Sequence, residues 1–199
     1  MNKFFPVLQH LNIPNSFTTL GMAFGVAACY RLMQGDLRTT FAFLFLAMAM
    51  DVIDGFTAGK LNQKTRFGQQ MDSLVDYFIC CVMPIFMIFA FVGYSILLIG
   101  SVTVYAAAGL WRLAHFNLLA AEGKTGAYFV GLPVPGAMLL VSISVWMVTY
   151  FACPPYLSAG VLLISGLLMA SSLKIKKYGL LQKASWVLGL VFLVLVITS

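Results

Sequence analysis

Charge is what this sequence has least of. Only 9% of its 199 residues are Asp, Glu, Lys or Arg, whereas a soluble globular domain carries about 25%. With 61% hydrophobic residues and a mean hydropathy of +0.96, that scarcity excludes a soluble domain and makes the chain an integral membrane protein. Histidine is scarce as well. His10 and His115 are the only two, and no Ser-His-Asp or Cys-His constellation stands out, so catalysis through an activated covalent nucleophile is not expected. Cys29, Cys80, Cys81 and Cys153 lie in or at the ends of apolar segments without C-x-x-C spacing, which argues for packing rather than a zinc site or a disulfide framework. Internal repeats and Gly/Ser- or Pro-rich linkers are missing too, so residues 1–199 are expected to form a single membrane domain.

The net charge of +6 comes from 12 Lys and Arg scattered in ones to threes between apolar runs. A nucleic-acid surface would gather them on one face, so nucleic acid is not an expected partner; the basic residues are read as topology signals. The apolar runs predict an all-α, multi-pass bundle with helices near 15–34, 39–58, 70–92, 95–117, 133–152, 155–172 and 182–198, about seven spans with six to eight possible. Lys60, Lys64 and Arg66, then Lys124, then Lys174, Lys176, Lys177 and Lys183 fall on alternate connections, which the positive-inside rule places in the cytoplasm with the N-terminus. Arg31 and Arg38, with Asp36 between them, oppose that orientation. Residues 1–13 carry Lys3 but no cleavable apolar core, and read as an interfacial segment rather than a leader peptide. Trp111, Trp146 and Trp186 are expected to pack or to face lipid.

Of six acidic residues, four fall between positions 51 and 76, at two adjacent helix ends. Asp51 and Asp54 are spaced i,i+3 and Asp72 and Asp76 i,i+4, so each pair shares a helix face and both pairs lie at similar depth on helices joined by a short loop. A carboxylate at the centre of a span costs about 2.5–3.5 kcal/mol on insertion scales, and crowded like charges add repulsion. No Lys or Arg lies on the two helical stretches that hold the acids. Two Mg²⁺ or Mn²⁺ ions, hard cations that take oxygen ligands, are the economical counter-charge. An ion or proton relay in a transporter would collect the same acids, and spacing alone leaves catalysis and transport equally open.

The residues between the acids favour catalysis. Gly55, Ala58, Gly59 and Gly68 are small enough to admit a base or phosphate close to the backbone, and Lys60, Lys64 and Arg66 bring positive charge suited to a diphosphate. Taken singly, the glycines equally read as close helix packing and the basic residues as an orientation signal. Together they fit a metal-bound nucleotide diphosphate.

As a string, Asp51-Val-Ile-Asp54-Gly55-Phe-Thr-Ala58-Gly59, eight residues, then Gly68, Asp72 and Asp76 resembles D-x-x-D-G-x-x-A-R-x8-G-x-x-x-D-x-x-x-D, the signature of the CDP-alcohol phosphatidyltransferases. Seven of eight fixed positions match; Gly59 stands where the family has arginine. Pro14-Asn15-Ser16-Phe17-Thr18, Thr65-Arg66-Phe67-Gly68 with Met71-Asp72-Ser73-Leu74, and Tyr128-Phe129-Val130-Gly131-Leu132-Pro133-Val134-Pro135 resemble the membrane-embedded phosphatidylserine synthase branch. So does Arg112-Leu113-Ala114-His115-Phe116-Asn117, with His115 in place of a second arginine. The likeness covers roughly residues 14–135.

The resemblance implies transfer of a phosphatidyl group from CDP-diacylglycerol to a small alcohol, serine first, by single displacement with release of CMP. It implies two divalent ions on Asp51, Asp54, Asp72 and Asp76, and Asp76 as general base. Gly55 and Ala58 would pack on the cytidine, Asn15 and Thr18 contact nucleotide or phosphate, and Lys60, Lys64, Arg66 and Gly68 border the diphosphate. Arg112, His115 and Asn117 would form the acceptor pocket, and the protein would be a homodimer with its site facing the cytoplasm. Neutral imidazole at position 115 has neither the charge nor the fork of arginine, so choline, inositol and glycerol phosphate stay open as acceptors. With Gly59 for arginine, a nucleotide-binding relic without activity also stays open, beside the transporter.

Overall fold

The computed structural model describes residues 5–124, 128–176 and 180–198. Seven long helices occur among them: α1 (Ile13–Met33), α2 (Leu37–Lys60), α3 (Arg66–Val92), α4 (Ile96–Ala121), α5 (Val134–Phe151), α6 (Tyr156–Met169) and α7 (Leu180–Thr198), preceded by a short turn of helix at Pro6–His10. Their starts are written in side chains that accept backbone N–H groups. Asn12 caps α1 through the N–H of Asn15 at 2.8 Å, Asp36 caps α2 through Thr39 at 3.0 Å, and Thr65 caps α3 through Gly68 at 2.9 Å. The Thr65 cap is why α3 begins at Arg66, ahead of the apolar run that starts near residue 70. Within α3 the hydrogen bonding widens over Phe78–Val82 and Ile88–Val92, on either side of Pro84, whose ring nitrogen has no N–H to donate.

Four of the seven helices, α2 to α5, are long and apolar enough to cross a bilayer. The all-α bundle is as expected, and of its seven expected crossings these four meet the length and hydropathy of a span among the described residues. At about 1.5 Å per residue, the 14 residues of α6 reach only about 21 Å of a core about 30 Å thick. Asn15, Ser16, Thr18, Thr19 and Arg31 dilute the apolar character of α1. Lys177 and the side chains of Lys176, Lys183 and Trp186 lie outside the described residues, as do residues 1–4 of the expected interfacial segment.

α1 and α2 pack closely because α1 offers a stripe of small residues. A Cβ on Gly21 would meet the Ala47 carbonyl at 3.3 Å, and one on Gly25 the Phe78 ring at 3.1 Å. At the α1–α2 turn Arg31 bonds Gln34 and Asp36, and Arg38 lies over the Tyr150 ring. The two arginines that oppose the predicted orientation thus have structural employment. Behind α3, Tyr105 on α4 donates from its hydroxyl to the Cys80 carbonyl at 2.7 Å, and Cys80 and Cys81 are buried, as packing residues should be. Trp146 packs edge-on against Phe151 and Phe192, while Trp111 is exposed.

One feature is not helical. β1 (Tyr128–Val130) pairs antiparallel with β2 (Lys174–Lys176), tying the α4–α5 connection to the α6–α7 connection. Gly131, at φ +76°, follows β1 and passes so close to the end of α6 that a Cβ would stand 3.1 Å from the Leu168 carbonyl; its N–H donates to the Leu173 carbonyl at 2.7 Å.

Candidate active site

α2 and α3 form a hairpin, with Asn62 turning the chain at φ +54°, and that hairpin carries all four clustered acids. One oxygen each from Asp51, Asp72 and Asp76 lies within 4.8 Å of the others. Asp54 borders the same small cavity beside Thr18 and Gly21. Its Oδ2, however, accepts a 2.6 Å hydrogen bond from Thr18 Oγ1, which fastens it to α1. Three acids face one another and the fourth is anchored.

Among the described residues the ion pairs are Arg31 with Asp36 and Lys124 with Glu122, and neither includes these four aspartates. Three carboxylates this close in a low-dielectric setting repel strongly. Their donor set is all oxygen, with no imidazole or thiolate in the group, so it fits Mg²⁺ or Mn²⁺ and not a zinc-type sulfur or nitrogen site.

Other predicted residues separate into two groups. Asn15 and Gly68 sit at a seam: a Cβ at Gly68 would stand 2.7 Å from Asn15 Oδ1, and Asn15 Nδ2 donates to the His10 carbonyl at 2.7 Å. His10 stacks on Phe67 with ring centres 4.2 Å apart, so the segment before α1 is docked on the first turn of α3. Around Gly55, by contrast, a Cβ would meet nothing within 4 Å, and around Gly59 only Lys64 Cε at 3.9 Å. That side of α2 is open, with Ala58 half-buried beside it and Lys60, Lys64 and Arg66 exposed around the connection.

The three expected acceptor residues lie near one another on α4. Arg112 lines a cavity of about 420 Å³ together with Asp51, Asp72 and Asp76. His115 lines a neighbouring cavity that Arg112 also borders. Asn117 Oδ1 accepts from both Gln69 Nε2 and Ser73 Oγ at 3.1 Å, so it clamps α4 to α3 next to Asp72. Sequence reasoning missed that clamp, although Ser73 sits inside a motif it had singled out. It also missed the roof. Phe129 and Ile175 are directly opposite in the β1–β2 register and both line the acid cavity, a long-range pairing of two three-residue strands that leaves no local pattern.

Comparison with known proteins agrees with this geometry. The chain is 28% identical over 175 residues to a CDP-diacylglycerol–serine O-phosphatidyltransferase of Methanocaldococcus jannaschii, covering 87% of this chain and 78% of that one. It is 28% identical over 193 residues to the enzyme of the same name from Helicobacter pylori, covering 94% and 79%. An archaetidylserine synthase of Methanothermobacter thermautotrophicus is 29% identical over 174 residues, covering 84% and 71%. Residues 11–175, which include the acid hairpin, Arg112, Phe129 and Ile175, match the CDP-alcohol phosphatidyltransferase family, and the chain belongs to that family.

Proposed function

We propose that this protein transfers the phosphatidyl group of CDP-diacylglycerol to L-serine, giving phosphatidylserine and CMP. The observation that carries the reading is the trio Asp51, Asp72 and Asp76 facing one another with no ion pair among the described residues, on a cavity that also holds Arg112. The names of the relatives favour serine over choline, inositol or glycerol phosphate. Asp51, Asp72 and Asp76, with Asp54 behind them, would hold divalent ions whose chemistry is to neutralise the diphosphate and ease the departure of CMP.

The residues of the chain perform the rest. Thr18 holds Asp54 in place, Gly55 and Ala58 admit the cytidine along the open side of α2, and Lys60, Lys64 and Arg66 draw the diphosphate to the hairpin. Arg112 presents a guanidinium fork to the serine carboxylate. The serine hydroxyl oxygen attacks the phosphorus that bears the diacylglycerol, its proton passes to Asp76, and the bond to CMP breaks with its electron pair on the nucleotide. Phe129 and Ile175 keep water from competing as the nucleophile. The reading includes a cytoplasmic site, α1, α6 and α7 accompanying α2 to α5 in the membrane, and a homodimer.

Purified protein given labelled CDP-diacylglycerol and, separately, serine, inositol, glycerol phosphate, ethanolamine and choline should form lipid product with serine alone. Product from choline but not serine would overturn the acceptor, and ion-coupled uptake without CMP release would overturn the reaction. A chelator should stop turnover and Mg²⁺ or Mn²⁺ should restore it.

A further inference from the structure

A second cavity beside the one with the acids is larger than it. It measures about 650 Å³, lies between α4, β1 and the end of α6, and shares only Arg112, Phe116 and Phe129 with the acid cavity. Its walls are apolar, with Val104 and Ala108 on one side and Met169 on the other, while Arg112, His115 and Lys124 bring basic groups to it. These three come from the C-terminal part of α4 and the residues just after it, so the basic groups gather toward one end. Arg112, which borders both cavities, has a buried Nε with no hydrogen-bond partner among the described residues. Lys124 is exposed and pairs with Glu122 at 2.8 Å, leaving two ammonium protons free to bond elsewhere.

An apolar chamber with basic groups at one end complements an amphiphile with an anionic head. A free amino acid would bury its charges against hydrocarbon here, and a zwitterionic head would bring its own cation up to Lys124. Trp111, exposed on the edge of the chamber, is the kind of amphipathic ring that sits at headgroup depth, which suits a ligand that enters from the bilayer. We infer that this chamber is a second lipid site, which takes an anionic glycerophospholipid with its phosphodiester against His115 and Lys124 and an acyl chain along Val104, Ala108 and Met169, with Arg112 standing in the wall shared with the acid cavity. It is distinct from the donor's place at the aspartates and does not depend on which alcohol is the acceptor.

The test uses the whole protein in phosphatidylcholine nanodiscs containing phosphatidylglycerol, released and weighed intact by native mass spectrometry. One phosphatidylglycerol should be retained in preference to phosphatidylcholine, and phosphatidylserine should substitute for it equally, since the phosphodiester is what the cations meet. Lys124→Glu, a change at an exposed position, should lower retention by at least about fivefold, the worth of the basic residue it removes, with the added carboxylate repelling the anionic head further. Ala108→Trp should abolish retention by filling the chamber. Equal retention of phosphatidylcholine, unchanged retention in Lys124→Glu, or retention of phosphatidylserine alone would overturn the proposal. So would stoichiometric displacement of phosphatidylglycerol by CDP-diacylglycerol, which would make the chamber part of the donor site.

Discussion

Two aspartate settings at opposite ends of α2 show what a carboxylate does when its needs are met and when they are not. Asp36, just outside the start of α2, accepts the backbone N–H of Thr39 and pairs with Arg31. Its carboxyl is held down at about 2, below the ordinary 3.8, first by the Thr39 N–H, then by the Thr39 hydroxyl, and further by the Arg31 guanidinium. Asp51, near the other end, faces Asp72 and Asp76 and has no ion pair among the described residues. The first arrangement is complete without a ligand and therefore structural. The second has no such partner among the described residues, and its all-oxygen donor set could hold a metal ion.

The contrast can be broken most severely at Asp72. Asp72→Asn should lower CMP release by at least about a hundredfold while leaving helicity and melting temperature at or above those of the native chain, because it removes an ion ligand and relieves repulsion. Full turnover in that variant would erase the distinction. Thr18→Val comes next: it frees Asp54 from its 2.6 Å bond and should reduce turnover about tenfold, as expected for one hydrogen bond to a charged group, read in steady-state assays at saturating Mg²⁺. Gly68→Ala should destabilise by about 1–3 kcal/mol, because the added methyl collides with Asn15 Oδ1; thermal denaturation in detergent measures it.

At the other end the effects are smaller and spare the chemistry. Asp36→Ala should cost about 0.5–2 kcal/mol for the lost cap and leave turnover per folded molecule unchanged. Asp36→Asn keeps the cap but not the charge, which isolates the titration. Because the folded carboxyl titrates below its ordinary value, the stability it adds is fully present above about pH 4 and fades as pH falls toward 2. The gap in melting temperature between native and Asp36→Asn protein should therefore close over that interval; a gap that widens would refute the account.

Much of this was legible in the chain. Apolar runs located all seven helices to within a few residues, because the membrane forces the backbone to satisfy itself within each segment. The i,i+3 and i,i+4 spacings of the aspartates placed each pair on one face. What the sequence concealed was side-chain partnership across elements. Asn117, expected at the acceptor pocket, also clamps Gln69 and Ser73, and Asn15, expected at the nucleotide, also lies against Gly68. Asp54 looked equivalent to the other three acids until its bond to Thr18 was seen. The strands were hidden for the opposite reason: Tyr128 and Lys176 are paired across two intervening helices, and three-residue strands carry too short an alternation to detect.

The α2–α3 hairpin also bears on how the chain is made. Its three facing carboxylates leave the ribosome one after another, long before Arg112 or either strand has been synthesised. At that moment the only finished neighbour is α1, whose Thr18 and Gly21 already border the acids. The first helix thus shelters nascent negative charge from lipid until later segments arrive, so damage to its small-residue stripe should appear as failed biogenesis before it appears as failed chemistry.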